Sequence, residues 1–428
     1  MPFTRRDFLK RGSLFVSMGV TAPTFLTTTA RALAQEASCI SGANANRILL
    51  VVQLGGGNDG LNSFVPYSDP TYYKVRPTLA IPQTDVLPIS DALGLNPALT
   101  AFKEMYDAKQ LSIVQGVGYP NPNRSHFRST DIWTSGVPET MEETGWLGRF
   151  LDAQCSGEDR RLHAVDIGTT VSRLFWTGQS VVPAISSIET FDLEADAAFP
   201  HDQSNQVDAL KLLNAGGSGR EYQDYISHVA LEALATSEEL KRIAESYSST
   251  IEYPESEFGE GLRTIAKIIV GDLGTRVFHI TKGGFDTHAV QANSHATLLS
   301  DVATSIQAFM RDMERIGRAD DVLIMTFSEF GRRVAENASL GTDHGAAASL
   351  VLIGGGVQSG IVGAHPSLDD LDDGDLKYGI DFRSVYGTIL QEWLGADPGS
   401  IIGTSDFPAL DLVASPASLS ALTALAAD

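Results

Sequence analysis

Two spacings of apolar residues alternate along the chain. Short, continuously apolar runs rich in Val, Ile and Leu occur at "RILLVVQL" (47–54), "LSIVQGVGY" (111–119), "LHAVDIG" (162–168), "TRVFHITKGG" (275–284), "DVLIMTFSEF" (321–330) and "ASLVLIGGGV" (348–357). Each has the length of a buried strand. Between most of them the apolar positions recur every three or four residues, as in "LNPALTAFKEMYDAK", "SHFRSTDIWTSG", "ETGWLGRFLDAQ" and "HATLLSDVATSIQAFMRDMERIG". Strands alternating with helices predict an α/β fold, a largely parallel central sheet with helices on both faces. Residues 201–272 carry helical spacing without a convincing strand, which predicts a helical insertion or cap. "DFRSVYGTILQEWLG" (381–395) reads as an amphipathic helix capped by Asp381 and stopped by Gly395. The tail from Ala414 onward is expected to be weakly ordered.

The first strand runs into "GGGNDG", where Gly55, Gly57 and Gly60 match the spacing G-x-G-x-x-G. A dinucleotide site needs that turn to open a helix, with an acidic residue roughly 20 positions on. Here Pro66, Pro70 and Pro77 follow, which predicts no helix after Gly60, and position 80 is Ala80. Asp59 would also set a negative charge beside the phosphates. The nucleotide reading is therefore set aside. Asp59 is left as a carboxylate at a strand end, either holding its own turn or facing a ligand.

The amino terminus changes the picture of where the protein works. Arg5 and Arg6 precede "DFLK", a mildly apolar stretch and Ala32-Leu33-Ala34. That order predicts a twin-arginine signal over residues 1–34, cleaved after Ala34, and a protein exported in folded form by the Tat translocon to the periplasm or beyond. Residues 35–428 are then read as a single α/β domain. No segment has 18 uninterrupted apolar residues, so no stable membrane anchor is expected. The formal charge of -22 becomes about -26 once the leader's five basic and one acidic residues are removed, which argues against nucleic acid as a partner. Cys39 and Cys155, the two cysteines, are free to pair in an oxidising compartment but make no disulfide scaffold.

Candidate chemistry gathers where strands end. "GGFDTH" supplies Asp286 and His288, "SEFGRR" supplies Glu329 and Arg332, and "GTDHG" supplies Asp343 and His344 just before the next strand. With Asp59 these form a set of oxygen and nitrogen donors suited to a divalent metal such as Zn, Ca or Mn. "NPNRSHFRSTDIW" places Ser125 at the start of a helix, flanked by Arg124, His126 and Arg128. A hydroxyl there meets the positive end of the helix, which suits a nucleophile or simply an N-cap. The acidic run "DDLDDGD" (369–375) fails the EF-hand template and reads as a solvated turn.

In this order the motifs "RRDFLK", "GGGNDGLN", "NRSHFRSTDIW", "GGFDTH", "SEFGRR" and "GTDHG" resemble twin-arginine-exported proteins of unknown function placed in the alkaline phosphatase and sulfatase superfamily. The resemblance spans the chain and implies an alkaline-phosphatase-like fold. It also implies metal-assisted hydrolysis of a small anionic phosphate or sulfate ester. Asp59 matches that superfamily's carboxylate after the first strand, Asp286 and His288 its aspartate and histidine pair, and His344 its last histidine ligand. Ser125 lies in the nucleophile's segment, with His126 or Ser129 as alternatives, and Arg124, Arg128 or Arg332 would hold the anion. Glu329 stands for the aspartate of a second Asp-His pair, whose histidine is replaced by Phe330. That loss leaves room for a rival expectation, a non-catalytic binding or assembly protein acting beside another exported protein.

Overall fold

The computed structural model describes residues 46–154, 163–177, 182–188, 247–404 and 406–414, with Asn44 and isolated positions between 205 and 243. The leader, Cys39, Cys155, most of 201–272 and the end of the tail lie outside the described residues. Among the described residues, seven strands of the main sheet follow in chain order: β1 (Ile48–Leu54), β2 (Leu111–Gly118), β3 (Ala164–Ile167), β4 (Ala184–Ile185), β5 (Val277–Lys282), β6 (Val322–Phe327) and β7 (Ala348–Gly354). Two short additions, β8 (Gly360–Val362) and β9 (Ile380–Asp381), complete a nine-stranded sheet ordered β8-β2-β7-β6-β1-β5-β3-β4, with β9 beside β2. β7 runs antiparallel to both neighbours, and the other pairings are parallel.

The period of two along β1 explains why helices cover both faces. Leu50 and Val52 point to one side and pack with Phe102 and Met105 of α3 (Thr100–Asp107), with Leu262 and Ile265 of α6 (Glu257–Val270), and with Val302 and Ile306 of α7 (Gln291–Arg315). Leu49 and Val51 point to the other side. They meet Ile132 and Trp133 of α4 (His126–Ser135), Trp146 and Phe150 of α5 (Trp146–Gln154), and Phe382 and Tyr386 of α8 (Phe382–Thr388). Each such buried side chain contributes about 1.5–3 kcal/mol relative to exposure. Helix α6 lies within the stretch expected to be a cap, yet it packs directly on the sheet, so residues 257–270 belong to the helical layer itself.

One local expectation needs correction. The chain does turn helical after the glycine loop: α1 (Gly60–Ser63) is a single turn, and α2 (Pro70–Val75) begins at a proline. Proline at the first helical position costs nothing, because the N–H it lacks has no intrahelical partner there. The predicted carboxy-terminal helix forms as read. The Asp381 side chain accepts from Arg383 N, and after a π-helical stretch (Ile389–Leu394) the helix stops at Gly395 in the left-handed region.

Because β1, β5 and β6 are parallel, their carboxyl ends share one rim. Antiparallel β7 starts at that same rim, so the loop preceding it arrives there too. The glycines allow these loops to close in. Gly56 and Gly57 have φ of 116° and 82°, and a Cβ on either would lie 2.4 Å from the Asp286 backbone nitrogen or the Phe330 ring, respectively. They clear space for neighbouring loops rather than for a pyrophosphate.

Candidate metal centre

Three imidazoles reach the rim from three parts of the chain, and each is held the same way. His126, the first residue of α4, has Nδ1 2.8 Å from Glu329 Oε1. His288, after β5, has Nδ1 3.2 Å from Asp343 Oδ1, and His344, before β7, has Nδ1 2.8 Å from the Arg124 carbonyl. A neutral imidazole facing an acceptor through Nδ1 keeps its proton there, which leaves the Nε2 lone pair free. All three Nε2 atoms turn toward Asp286. They lie 3.5 Å from its Oδ2 (His126), 3.0 Å from its Oδ1 (His288) and 3.0 Å from the same Oδ1 (His344). The Nε2 atoms of His288 and His344 are 2.9 Å apart.

Lone pairs and a carboxylate oxygen at such separations repel unless a proton or a cation lies among them. Donors bound about 2.1 Å from one cation stand roughly 3–3.4 Å apart, so His288, His344 and Asp286 have ligand-like spacing. His126 joins Asp286 and His344 in the wider cluster, whose donor atoms lie within 4.8 Å of one another. Glu329 and Asp343 act behind the imidazoles as orienting carboxylates. Buried Glu329 also accepts from Gly56 N, and its Oε2 is buried without a hydrogen-bond partner. Asp343 is fixed by the Asn337 amide, and this bond, with that from His288, holds its pKa below the ordinary value.

Burial by itself would raise Asp286, but the hydrogen bond and the charge of Arg332 more than reverse it, and its pKa falls to about 2. It is therefore a carboxylate at any working pH. Phe330 is buried, with its ring centroid 4.9 Å from His126 and 4.5 Å from His344. Where the resemblance called for a further histidine, an apolar wall stands against two of the imidazoles.

The structure places the other expected residues elsewhere. Asp59 caps α1, accepting weakly from Asn62 N, and its carboxylate is consumed by Arg76, 2.6 Å away, and by the Gln291 amide. Burial raises the Asp59 pKa, yet the Arg76 charge outweighs it and the net direction is down. It is thus tied into an ion pair instead of facing the cluster. Arg332, expected to hold an anion, has a fully buried guanidinium that donates to the carbonyls of Gly56, Gly57, Phe285 and Thr342 and to Asp286. Arg124 is bound by Asp373 and Asp375 of the acidic turn, and Arg128 by the Pro138 and Thr140 carbonyls. Ser125 is exposed at the N-cap of α4, with no side-chain cap bond. Ser129 is buried, with its hydroxyl bonded to Tyr119 and the Glu329 carbonyl.

Sequence reading missed Arg76, Gln291 and His295. The last two sit on the buried stripe of α7 with Leu299 and Val302, and polar residues on an apolar stripe were the available signal. His295 Nε2 lies 2.9 Å from Asn58 Oδ1, and burial lowers its pKa to about 4 despite the Asp59 charge. The unfolded chain therefore binds a proton that the folded one refuses between pH 6.5 and about 4. This contribution is complete above pH 6.5 and is lost as pH falls toward 4, a loss of roughly 3 kcal/mol. Urea denaturation across that range should show the loss, and His295→Gln should flatten it. An unchanged slope in the variant would contradict the buried neutral assignment.

The protein is thus an open α/β sheet with a histidine and carboxylate cluster at the rim where its parallel strands end. It belongs to the family described as "Protein of unknown function (DUF1501)", whose model matches residues 113–406. No curated protein matches the chain. Among solved structures it is similar to a protein in the alkaline phosphatase superfamily from Vibrio parahaemolyticus, at 10% identity and a TM-score of 0.34, covering 89% of this chain and 74% of that one. It is also similar to a lipoteichoic acid synthase from Listeria monocytogenes, at 7% identity and 0.36, covering 88% and 80%. A third similarity is to alkaline phosphatase from the Antarctic bacterium TAB5, at 9% identity and 0.30, covering 74% and 94%. Likenesses this distant leave the chemistry to be read from the cluster itself.

Proposed function

We propose that the rim cluster binds a divalent metal and that the protein is an exported, metal-assisted hydrolase of small anionic esters of the phosphate or sulfate type. The observation that carries this reading is the common orientation of His126, His288 and His344, each with Nδ1 on an acceptor and Nε2 turned to Asp286. That arrangement, an orienting acceptor behind each ring, is how proteins prepare imidazoles as metal ligands. His288, His344 and Asp286 would hold the ion, with His126 beside them. Such an ion lowers the pKa of a bound water or hydroxyl and polarises an ester oxygen. Among the protein's own groups, Glu329 and Asp343 orient the His126 and His288 rings through Nδ1, and the Phe330 ring packs against His126 and His344. Ser125, exposed next to His126, is the hydroxyl available as nucleophile.

Purified mature protein is expected to hold close to one equivalent of Zn, Mn or Ca by elemental analysis. It should cleave at least one of a phosphate monoester, a phosphodiester and a sulfate ester, and Ser125→Ala should abolish that turnover if the hydroxyl attacks. Metal-free protein that stays inert after metal is added would reject the proposal. Tat export is part of the same reading. Replacing Arg5 and Arg6 by Lys should strand the precursor in the cytoplasm, and the exported form should begin at Gln35.

A second reading is favoured by the arginines. Arg124, Arg128 and Arg332 are all bound to protein acceptors, which leaves the anion without an evident guanidinium clamp. On that reading the metal site serves binding or assembly beside another exported protein. Stoichiometric metal together with a flat ester screen is its expected signature.

A further inference from the structure

Two apolar residues on the loops that carry His288 and Asp343 have backbones that apolar side chains avoid. Val290 has φ 47° and ψ 45°, and Leu340 has φ 59°. A β-branched residue in the left-handed region is a true outlier, and Leu is little better suited to it. Both are nevertheless well exposed, Val290 at 70% and Leu340 at 44%, so burial does not compensate for the strain. Val290 is two residues after His288, and Leu340 is three before Asp343.

The surrounding contacts over-determine this geometry. Val290 N donates to Ser339 O and Gln291 N to Leu340 O, at 3.0 and 2.9 Å. Asn337 bonds both the His288 carbonyl and the Asp343 carboxylate, at 3.0 Å each. Gly341 is packed so closely that a Cβ there would lie 2.3 Å from the His288 carbonyl carbon. The loop carrying His288 and the loop carrying Asp343 are therefore clamped together, and each presents a strained apolar side chain at the junction. Phe127, directly after His126, is 87% exposed. Strain held in place by its surroundings is a mark of function, and here the strained residues gain nothing from the protein's own core.

We infer that Val290 and Leu340 form the apolar half of the substrate site, so that the anionic ester taken by the metal centre carries a hydrocarbon group next to its charged head. This rests on the hydrolase reading and narrows it to amphiphilic esters. A head group at Asp286, His288 and His344 leaves its tail beside the clamped loops, where each methylene removed from water adds to affinity.

Titration calorimetry of metal-loaded protein with methyl, butyl and octyl phosphate tests the inference. Octyl phosphate is expected to bind roughly tenfold or more tighter than methyl phosphate, the gain of burying two or more methylenes. Val290→Asn with Leu340→Asn should bring that ratio close to one. Asn enters the left-handed region more readily, so the melting temperature of the double variant should not fall, which separates lost contact from lost fold. If methyl phosphate binds as well as octyl phosphate, or the variant keeps the wild-type ratio, the apolar half-site is wrong while the hydrolase reading stands. If neither the alkyl phosphates nor the matching alkyl sulfates bind, both fall. Vesicles of phosphatidylcholine containing phosphatidic acid form a second arm. Sedimentation with them identifies the head group as a lipid's, and octyl phosphate binding without sedimentation identifies a free amphiphile.

Discussion

Arg332→Met is expected to cost about 3–5 kcal/mol of folding free energy, a large part of the roughly 5–15 kcal/mol that holds a typical domain together. The guanidinium is fully buried and is the shared donor for four loop carbonyls and one carboxylate. Those carbonyls belong to the loops after β1 and β5 and to the segment before β7, so one side chain stitches together the backbone that carries the cluster. Met fills similar volume but donates nothing, and each buried acceptor left bare costs about 1–3 kcal/mol. Lys cannot substitute, because a single ammonium lacks the planar fork that reaches several acceptors at once. The variant should also let the Asp286 pKa rise from about 2 toward the ordinary carboxylate range, since the hydrogen bond and charge of Arg332 hold it down. Urea denaturation measures the first effect and carboxyl-carbon NMR the second. A loss under about 1 kcal/mol would mean that the loops hold themselves without the arginine.

His288→Ala with His344→Ala is expected to remove metal binding altogether within the measurable range. Each histidine should be worth more than the tenfold to hundredfold that an orienting partner contributes to metal affinity. Glu329→Gln and Asp343→Asn should each fall within that smaller range, because they act through the rings. Asp59→Asn discriminates between the two accounts of this carboxylate. If Asp59 were a ligand, the substitution would release the metal. From its bond to Arg76 we expect unchanged metal affinity and a stability loss of about 3–5 kcal/mol, the consequence of leaving a buried guanidinium unpaired. Competition against a chromogenic chelator reads the affinities, and metal loss in Asp59→Asn at unchanged stability would overturn the assignment.

The element pattern was legible because it rests on local periodicity. The runs from "RILLVVQL" to "ASLVLIGGGV" became strands, and Asp381 and Gly395 bracket their helical segment as their side-chain chemistry dictates. The proline argument failed after Gly60 because proline forbids a helix interior and not a helix start. The candidate site was legible in part. Asp286, His288 and His344 come together as expected because strand ends in a parallel sheet meet at one rim. Glu329, Asp343 and His126 also came to that rim, but their order of action was not in the sequence.

What the sequence alone determined is the inventory: strands of the right length, helices of the right period, and imidazoles and carboxylates waiting where strands stop. These follow from short-range rules of spacing and backbone preference, which act within a few residues. The tertiary structure decided the pairings. It gave Asp59 to Arg76, turned Arg332 inward onto carbonyls, and set an acceptor behind each of three histidines. A charged or hydrogen-bonding side chain chooses its partner by distance in space. The residues that meet here, such as His126 with Glu329 and His288 with Asp343, are brought into reach only when the sheet order and the reversed direction of β7 are fixed.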